Sequence, residues 1–213
     1  EIILGGIEDA YALTMAITSV KPDIVIHTAA LKHVDTAEKQ PTHAVSTNII
    51  GSYNVVKACQ KADVPITIGI STDKACLPYC VYGYTKLIME KIFLESNTTR
   101  NKFTCCRFGN VAGSHGSVIP FWLSLKSNNQ SLKLTDERMS RLMFSQNEAA
   151  MLVKKCIDDS KDKGGFILSK NMKKVNMYKL AKIISNNVEV VGIRPGEKLD
   201  EDLISEEEVP YTK

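Results

Sequence analysis

Short apolar, β-rich runs alternate with stretches of helical periodicity through the first half of the chain. Ile2–Leu4, Asp23–His27, Ile66–Ser71 and Phe103–Arg107 read as strands. Between them, Glu8 to Val20 repeats apolar positions at helical spacing, and Pro41 suits the first turn of a helix that can run to Ala62. A third helix is expected from Tyr82 to about Glu95. Such alternation predicts βαβ units around a parallel sheet, an α/β fold.

Beyond residue 110 the texture turns to glycine and serine, then to shorter mixed segments, with helices expected over Gln146–Asp158 and Met177–Asn186. This half reads as a smaller α+β lobe packed on the sheet. The acidic run Glu206-Glu207-Glu208 reads as a solvated, frayed tail. The chain opens on Glu1 and runs straight into an apolar segment, which suggests a fragment or a processed chain.

Composition narrows the function classes. With 213 residues, 44% hydrophobic and 24% charged, the chain suffices for one substantial core or a domain with a small lobe. Its apolar runs fall far short of the roughly 20 residues that span a bilayer. A net charge of +3 with dispersed lysines argues against nucleic-acid binding. The six cysteines have neither C-x-x-C nor zinc-ligand spacing, so a reducing, cytoplasmic compartment and no metal are expected.

In open α/β sheets ligands bind beyond the carboxyl ends of the strands, so the residues just after each strand carry the candidate chemistry. The run His27-Thr28-Ala29-Ala30-Leu31-Lys32-His33 offers small residues against which a flat ligand could lie, then positive charge. It is equally an ordinary strand-to-helix turn. Ser71-Thr72-Asp73-Lys74 places a hydroxyl, a carboxylate and an amine in one turn, either a proton-transfer set or a helix N-cap beside an exposed ion pair. Tyr82 and Lys86 stand four apart on one helix face, where a cation beside a phenol would stabilise the phenolate.

Ser/Thr at a strand end followed by Tyr-x-x-x-Lys resembles the catalytic arrangement of the short-chain dehydrogenases/reductases. The strings Ala29-Ala30-Leu31-Lys32-His33-Val34, Thr47-Asn48-Ile49-Ile50-Gly51, Ser71-Thr72-Asp73-Lys74-Ala75, Arg107-Phe108-Gly109-Asn110-Val111 and Gly192-Ile193-Arg194-Pro195-Gly196-Glu197-Lys198-Leu199 resemble, in order and spacing, the inverting UDP-N-acetylglucosamine 4,6-dehydratases.

The resemblance implies a Rossmann-like parallel sheet, N-terminally truncated, with a smaller α+β substrate lobe. Residues 1–112 would form a partial dinucleotide-binding domain and 113–213 mainly the substrate lobe, with the helix near 146–158 returning to the main domain. It implies a nicotinamide cofactor, NADP or else NAD, held near Ala29, Ala30, Lys32, Asn48, Ser71, Tyr82 and Lys86. Thr72, Asp73, Lys74, Tyr82 and Lys86 would be catalytic: Tyr82 the base at the 4-hydroxyl, Lys74 the base at C5 and Asp73 the acid at the 6-hydroxyl. Asn110, Ser117 and Val118 would lie near the substrate with Lys74, while Arg141, Arg194 and Glu197 would hold the uridine diphosphate. A homo-oligomer is implied as well.

The chain departs from that pattern in having no G-x-x-G-x-x-G turn for the cofactor pyrophosphate, so the polypeptide alone is expected to bind cofactor poorly. Gly6, His115 and Asp200 also stand where relatives usually carry aspartate, arginine and histidine or tyrosine. A UDP-sugar 4-epimerase and a non-catalytic nucleotide-sugar-binding protein are the alternatives.

Overall fold

The computed structural model describes residues 2–213. Asp9 caps helix α1 (Ala10–Val20), its carboxylate accepting the Ala12 N–H at 2.9 Å. Strand β1 (Ile24–His27) leads to two short helices, α2 (Val34–Lys39) and α3 (Pro41–Val45). The helix expected from Pro41 to Ala62 runs nearly that far, but through a π-helical turn, Ser46–Gly51, before α4 (Ser52–Lys61). Strand β2 (Ile66–Thr72), a 3-10 turn (Asp73–Ala75), helix α5 (Val81–Ser96), strand β3 (Lys102–Phe108) and the two-residue strand β4 (Asn110–Val111) follow. The second half holds α6 (Val118–Ser127), β5 (Leu132–Leu134), β6 (Ser140–Phe144), α7 (Gln146–Ser160), β7 (Ile167–Leu168), β8 (Lys173–Asn176), α8 (Met177–Ile184) and β9 (Val188–Val190).

The main sheet is parallel throughout, in the order β1-β2-β3-β7, with Ile24 opposite Ile66 and Ile66 opposite Lys102. Strands β2 and β3 are buried on both faces, so that even their threonines Thr67 and Thr104 lie in the interior with the apolar residues. Under one face Val55, Val56 and Cys59 of α4 and Met89 and Phe93 of α5 pack with Phe103 and Cys105. On the other face Leu152 and Cys156 of α7 meet Ile66, Ile68 and Cys106. Each large apolar side chain so buried contributes roughly 1.5–3 kcal/mol. A third cluster, around Trp122, Leu132, Leu134 and Met177, holds α6, α8 and the small sheets β5-β9 and β4-β6-β8 together.

Two sequence expectations fail. Ile2–Leu4 forms no strand: Ile2 is 88% and Leu4 91% exposed, and neither pairs with a ladder. An apolar triplet has β propensity, but it becomes a strand only where an edge takes its N–H and C=O groups. The acidic run is not wholly solvated either. Glu206 and Glu207 face solvent, yet Glu208 binds the buried Arg107 guanidinium with its carboxylate at 2.8 and 2.9 Å. Burial leaves Arg107 in need of anionic partners, and this draws the segment in.

All six cysteines are free and buried, as small apolar residues would be. Among the described residues no helix is long and apolar enough to cross a membrane, and no cluster of His, Cys, Asp and Glu could hold a metal ion.

Candidate active site

The carboxyl end of β2 turns at once into the 3-10 segment, so Thr72, Asp73 and Lys74 are held by the strand on one side and the turn on the other. The Thr72 hydroxyl donates to Asp73 Oδ1 at 2.9 Å, and Lys74 Nζ lies 3.2 Å from the same oxygen. On its far side Lys74 Nζ meets Glu201 Oε1 at 3.3 Å. The three side chains are 1% (Asp73), 18% (Lys74) and 4% (Glu201) exposed, so the ammonium sits between two buried carboxylates. Asp73 Oδ2 has no hydrogen-bond partner among the described residues.

Helix α5 brings Tyr82 to this turn. A Cβ at Gly83 would collide with the Lys74 carbonyl oxygen, so only glycine lets the first turn of α5 press so close. The Cys80 thiol and the Glu38 carboxylate cap that turn, taking the N–H groups of Gly83 and Val81 at 3.3 and 2.6 Å. Burial pushes the Tyr82 phenol well above its usual range, the Asp73 carboxylate adds to this, and the Thr72 hydroxyl works against it. Lys86 adds no lowering in this arrangement, and its ammonium lies 3.0 Å from Met89 Sδ. Burial lowers Lys86 to about 8.

Asn48, in the π-helical turn, has its side chain fully engaged. It accepts the Leu31 N–H at 2.7 Å and donates to the Leu31 carbonyl at 3.2 Å and the Thr85 hydroxyl at 2.9 Å. It therefore ties the loop after β1, with Ala29 and Ala30, to α5. Of the residues expected around a nicotinamide cofactor, Lys86 has only a sulfur acceptor and the buried Ser71 Oγ has no partner among the described residues. Those two groups, with Tyr82, fit the hydroxyl-rich nicotinamide ribose; Asn48 fits a structural role in its support.

A cleft of about 390 Å3 opens beside the turn. Lys74, Asn110, Ser117, Val118, Arg141, Arg194 and Glu197 all line it, together with Lys32 and Glu201. Arg141 is buried and spends one nitrogen on the carbonyls of Ser140 and Leu199, at 2.7 and 3.1 Å, with no carboxylate partner among the described residues. Arg194 lies at the rim, 2.5 Å from Glu197 Oε1, and offsets the effect of burial to hold Glu197 below its ordinary value. Asn110 Oδ1 and Ser117 Oγ are buried without partners among the described residues. Ser117 stands at the N-terminus of α6, where backbone N–H groups favour an anion. Lys32 Nζ closes one side of the cleft by donating to the His115 carbonyl at 2.9 Å.

Sequence reasoning gave Glu201 no role. Its only signal was a carboxylate at the end of the Arg194–Leu199 string, and nothing in sequence spacing joins it to Lys74.

A parallel α/β sheet with Thr72 and Tyr82-x-x-x-Lys86 at its carboxyl edge defines an extended short-chain dehydrogenase/reductase. The chain belongs to the family described as polysaccharide biosynthesis protein, which it matches over residues 1–213. It is 37% identical over 216 residues to the UDP-N-acetylglucosamine 4,6-dehydratase (inverting) of Campylobacter jejuni subsp. jejuni serotype O:23/36 (strain 81-176), covering 98% of this chain and 64% of that protein. It is 34% identical over 197 residues to a UDP-glucose 4-epimerase of Rickettsia canadensis (strain McKiel), covering 88% of this chain and 57% of that protein. Among solved structures, Pen from Bacillus thuringiensis matches with a TM-score of 0.91 and 34% identity, covering 98% of this chain and 68% of that one. The chain thus spans 64% and 57% of the length of these two curated relatives.

Proposed function

We propose that the protein containing this chain is an inverting UDP-N-acetylglucosamine 4,6-dehydratase. The observation that carries this reading is the Asp73–Lys74 pair, one residue beyond Thr72 and at the edge of the cleft. An epimerase needs only the tyrosine and a nicotinamide; a dehydratase also needs an acid at the 6-hydroxyl and a base at C5.

NADP, or alternatively NAD, would when bound take hydride from C4 of the sugar and return it to C6. Lys86, turning from Met89 Sδ, would hold the ribose and supply the positive charge that lets Tyr82 take the 4-hydroxyl proton. Thr72 hydrogen-bonds the same sugar oxygen. The 4-keto group acidifies C5–H, so the Lys74 amine removes that proton while Asp73 protonates the departing 6-hydroxyl. A proton delivered to the opposite face of C5 inverts that centre.

Arg141 offers a planar cation to the diphosphate beside the α6 N-terminus. Arg194 and Glu197 serve the nucleotide at the rim, and Asn110, Ser117 and Val118 the sugar side.

The test is to incubate the full-length protein with UDP-N-acetylglucosamine and NADP and follow product mass. Loss of one water, with solvent deuterium entering at C5, is expected. An unchanged mass with a 4-epimer makes it an epimerase, and no conversion makes it a binding protein.

A further inference from the structure

The proton transfers proposed above leave Glu201 without a task. Its carboxylate is buried, lines the cleft and has Lys74 as its one ionic partner among the described residues. A buried carboxylate is tolerated only where a cation or several donors compensate it. The segment that carries it is fastened to β6, since the Leu199 carbonyl accepts both the Ser140 N–H at 2.9 Å and an Arg141 nitrogen at 3.1 Å. Glu201 is thus presented to Lys74 by the same backbone that seats Arg141.

While it holds the proton for the leaving group, Asp73 has no charge to offer Lys74, and it gains one only as that proton departs. A second carboxylate outside the proton transfers holds the Lys74 nitrogen through the whole step. We propose that Glu201 is a positioning residue that acts through Lys74, fixing the amine at the cleft and stabilising the ammonium that forms there during elimination.

This rests on the dehydratase reading, and its step balances. The Lys74 amine takes the C5 proton, and the C5–H electron pair becomes the second C5–C6 bond. The C6–O bond breaks with its pair going to oxygen, and Asp73 donates a proton to release water. Lys74 ends as ammonium and Asp73 as carboxylate, and proton transfer from one to the other restores the starting forms. Glu201 takes no part in these transfers.

The experiment compares full-length wild type with Glu201→Gln and Glu201→Asp. Glu201→Gln is expected to lower kcat for water loss from UDP-N-acetylglucosamine about ten- to hundredfold, the effect of losing a charged hydrogen-bond partner. KM and the calorimetric affinity for UDP should stay at wild-type values, and Glu201→Asp should recover part of kcat. Independently of turnover, Lys74 should be acylated faster in Glu201→Gln, read by peptide mass against the other lysines, because only the neutral amine is nucleophilic.

Wild-type kcat and wild-type labelling in Glu201→Gln would overturn the proposal. So would a loss of UDP affinity that matches the loss of kcat and is not relieved by aspartate, which would mark a structural prop. Wild-type protein that removes no water overturns the dehydratase reading and the step with it; Glu201→Gln at wild-type rate overturns Glu201 alone.

Discussion

Arg107 and Glu90 meet fork to fork in the interior, with Nε 2.9 Å from Oε1 and one terminal nitrogen 2.7 Å from Oε2. The pair joins the end of β3 to the middle of α5, the helix that carries Tyr82 and Lys86. Both side chains are buried, at 2% and 0% exposure, and the remaining guanidinium donors go to Glu208 and the Leu203 carbonyl. One arginine therefore fixes the helix that carries Tyr82 and Lys86 and the C-terminal segment to the same strand.

Removing the inner partner should be costly. Glu90→Gln leaves a buried cation half compensated and should lower unfolding free energy by about 3–5 kcal/mol. Glu208→Gln, at the partly exposed end of the network, should cost less, about 1.5–3 kcal/mol. Urea unfolding of both variants checks the ranking, and equal losses would contradict it.

Tyr82 is absent from the cleft lining that holds the proposed nucleotide contacts, so its hydroxyl should matter to chemistry and not to binding. Tyr82→Phe is expected to lower turnover by about 10²–10⁴. The calorimetric affinity for UDP should be unchanged; a parallel fall would place the phenol in binding.

How much of this was legible follows from what each residue responds to. Strands β2 and β3 lie between helices on both faces, and their short β-rich runs, rich in Ile in β2 and in Phe and Cys in β3, can be read directly. Ile2–Leu4 has the same composition, but whether an edge is available to pair it is a fact of tertiary structure. Helix α2 is six residues long, too short for a period to show. Helix α6 runs Val-Ile-Pro-Phe-Trp-Leu, apolar on every side of its first turns, so periodicity gave no helical signal. At the site, the hydroxyl, carboxylate, amine and phenol lie close enough in sequence to be seen together. Glu201 and Glu208 are chosen by the pairs they make across the fold, with Lys74 and Arg107, and local spacing shows neither pair.

Arg141 should be the main diphosphate contact, being a buried guanidinium with carbonyl partners only. Arg141→Met is expected to weaken UDP binding by about 1.5–3 kcal/mol, and Arg141→Lys to recover less than half of it, because an ammonium lacks the planar fork. Titration calorimetry measures both. Unfolding of the unliganded variants separates lost affinity from the lost backbone contacts to Ser140 and Leu199.

His27 gives the fold an acid-sensitive element that feels the Lys86 charge. The ring is buried at the end of β1, hydrogen-bonded to the Ser52 hydroxyl at 2.8 Å and stacked on Phe93. Burial, helped by the Lys86 charge, lowers its pKa from 6.5 to about 3. Below pH 6.5 the unfolded chain therefore binds a proton that the folded chain refuses. Stability is intact above that value and falls with pH, by up to about 1.4 kcal/mol per pH unit, until the folded ring also titrates near pH 3. The salt-bridged carboxylates Asp136, Glu148 and Asp158, held at about 2, lose their contributions as pH falls from the ordinary carboxylate range towards 2. Between roughly pH 4.5 and 6.5 the slope should therefore come largely from His27. Urea unfolding of wild type and His27→Gln across that window should give a steep line for the first and a shallower one for the second. Parallel lines would mean that the ring is protonated within the fold.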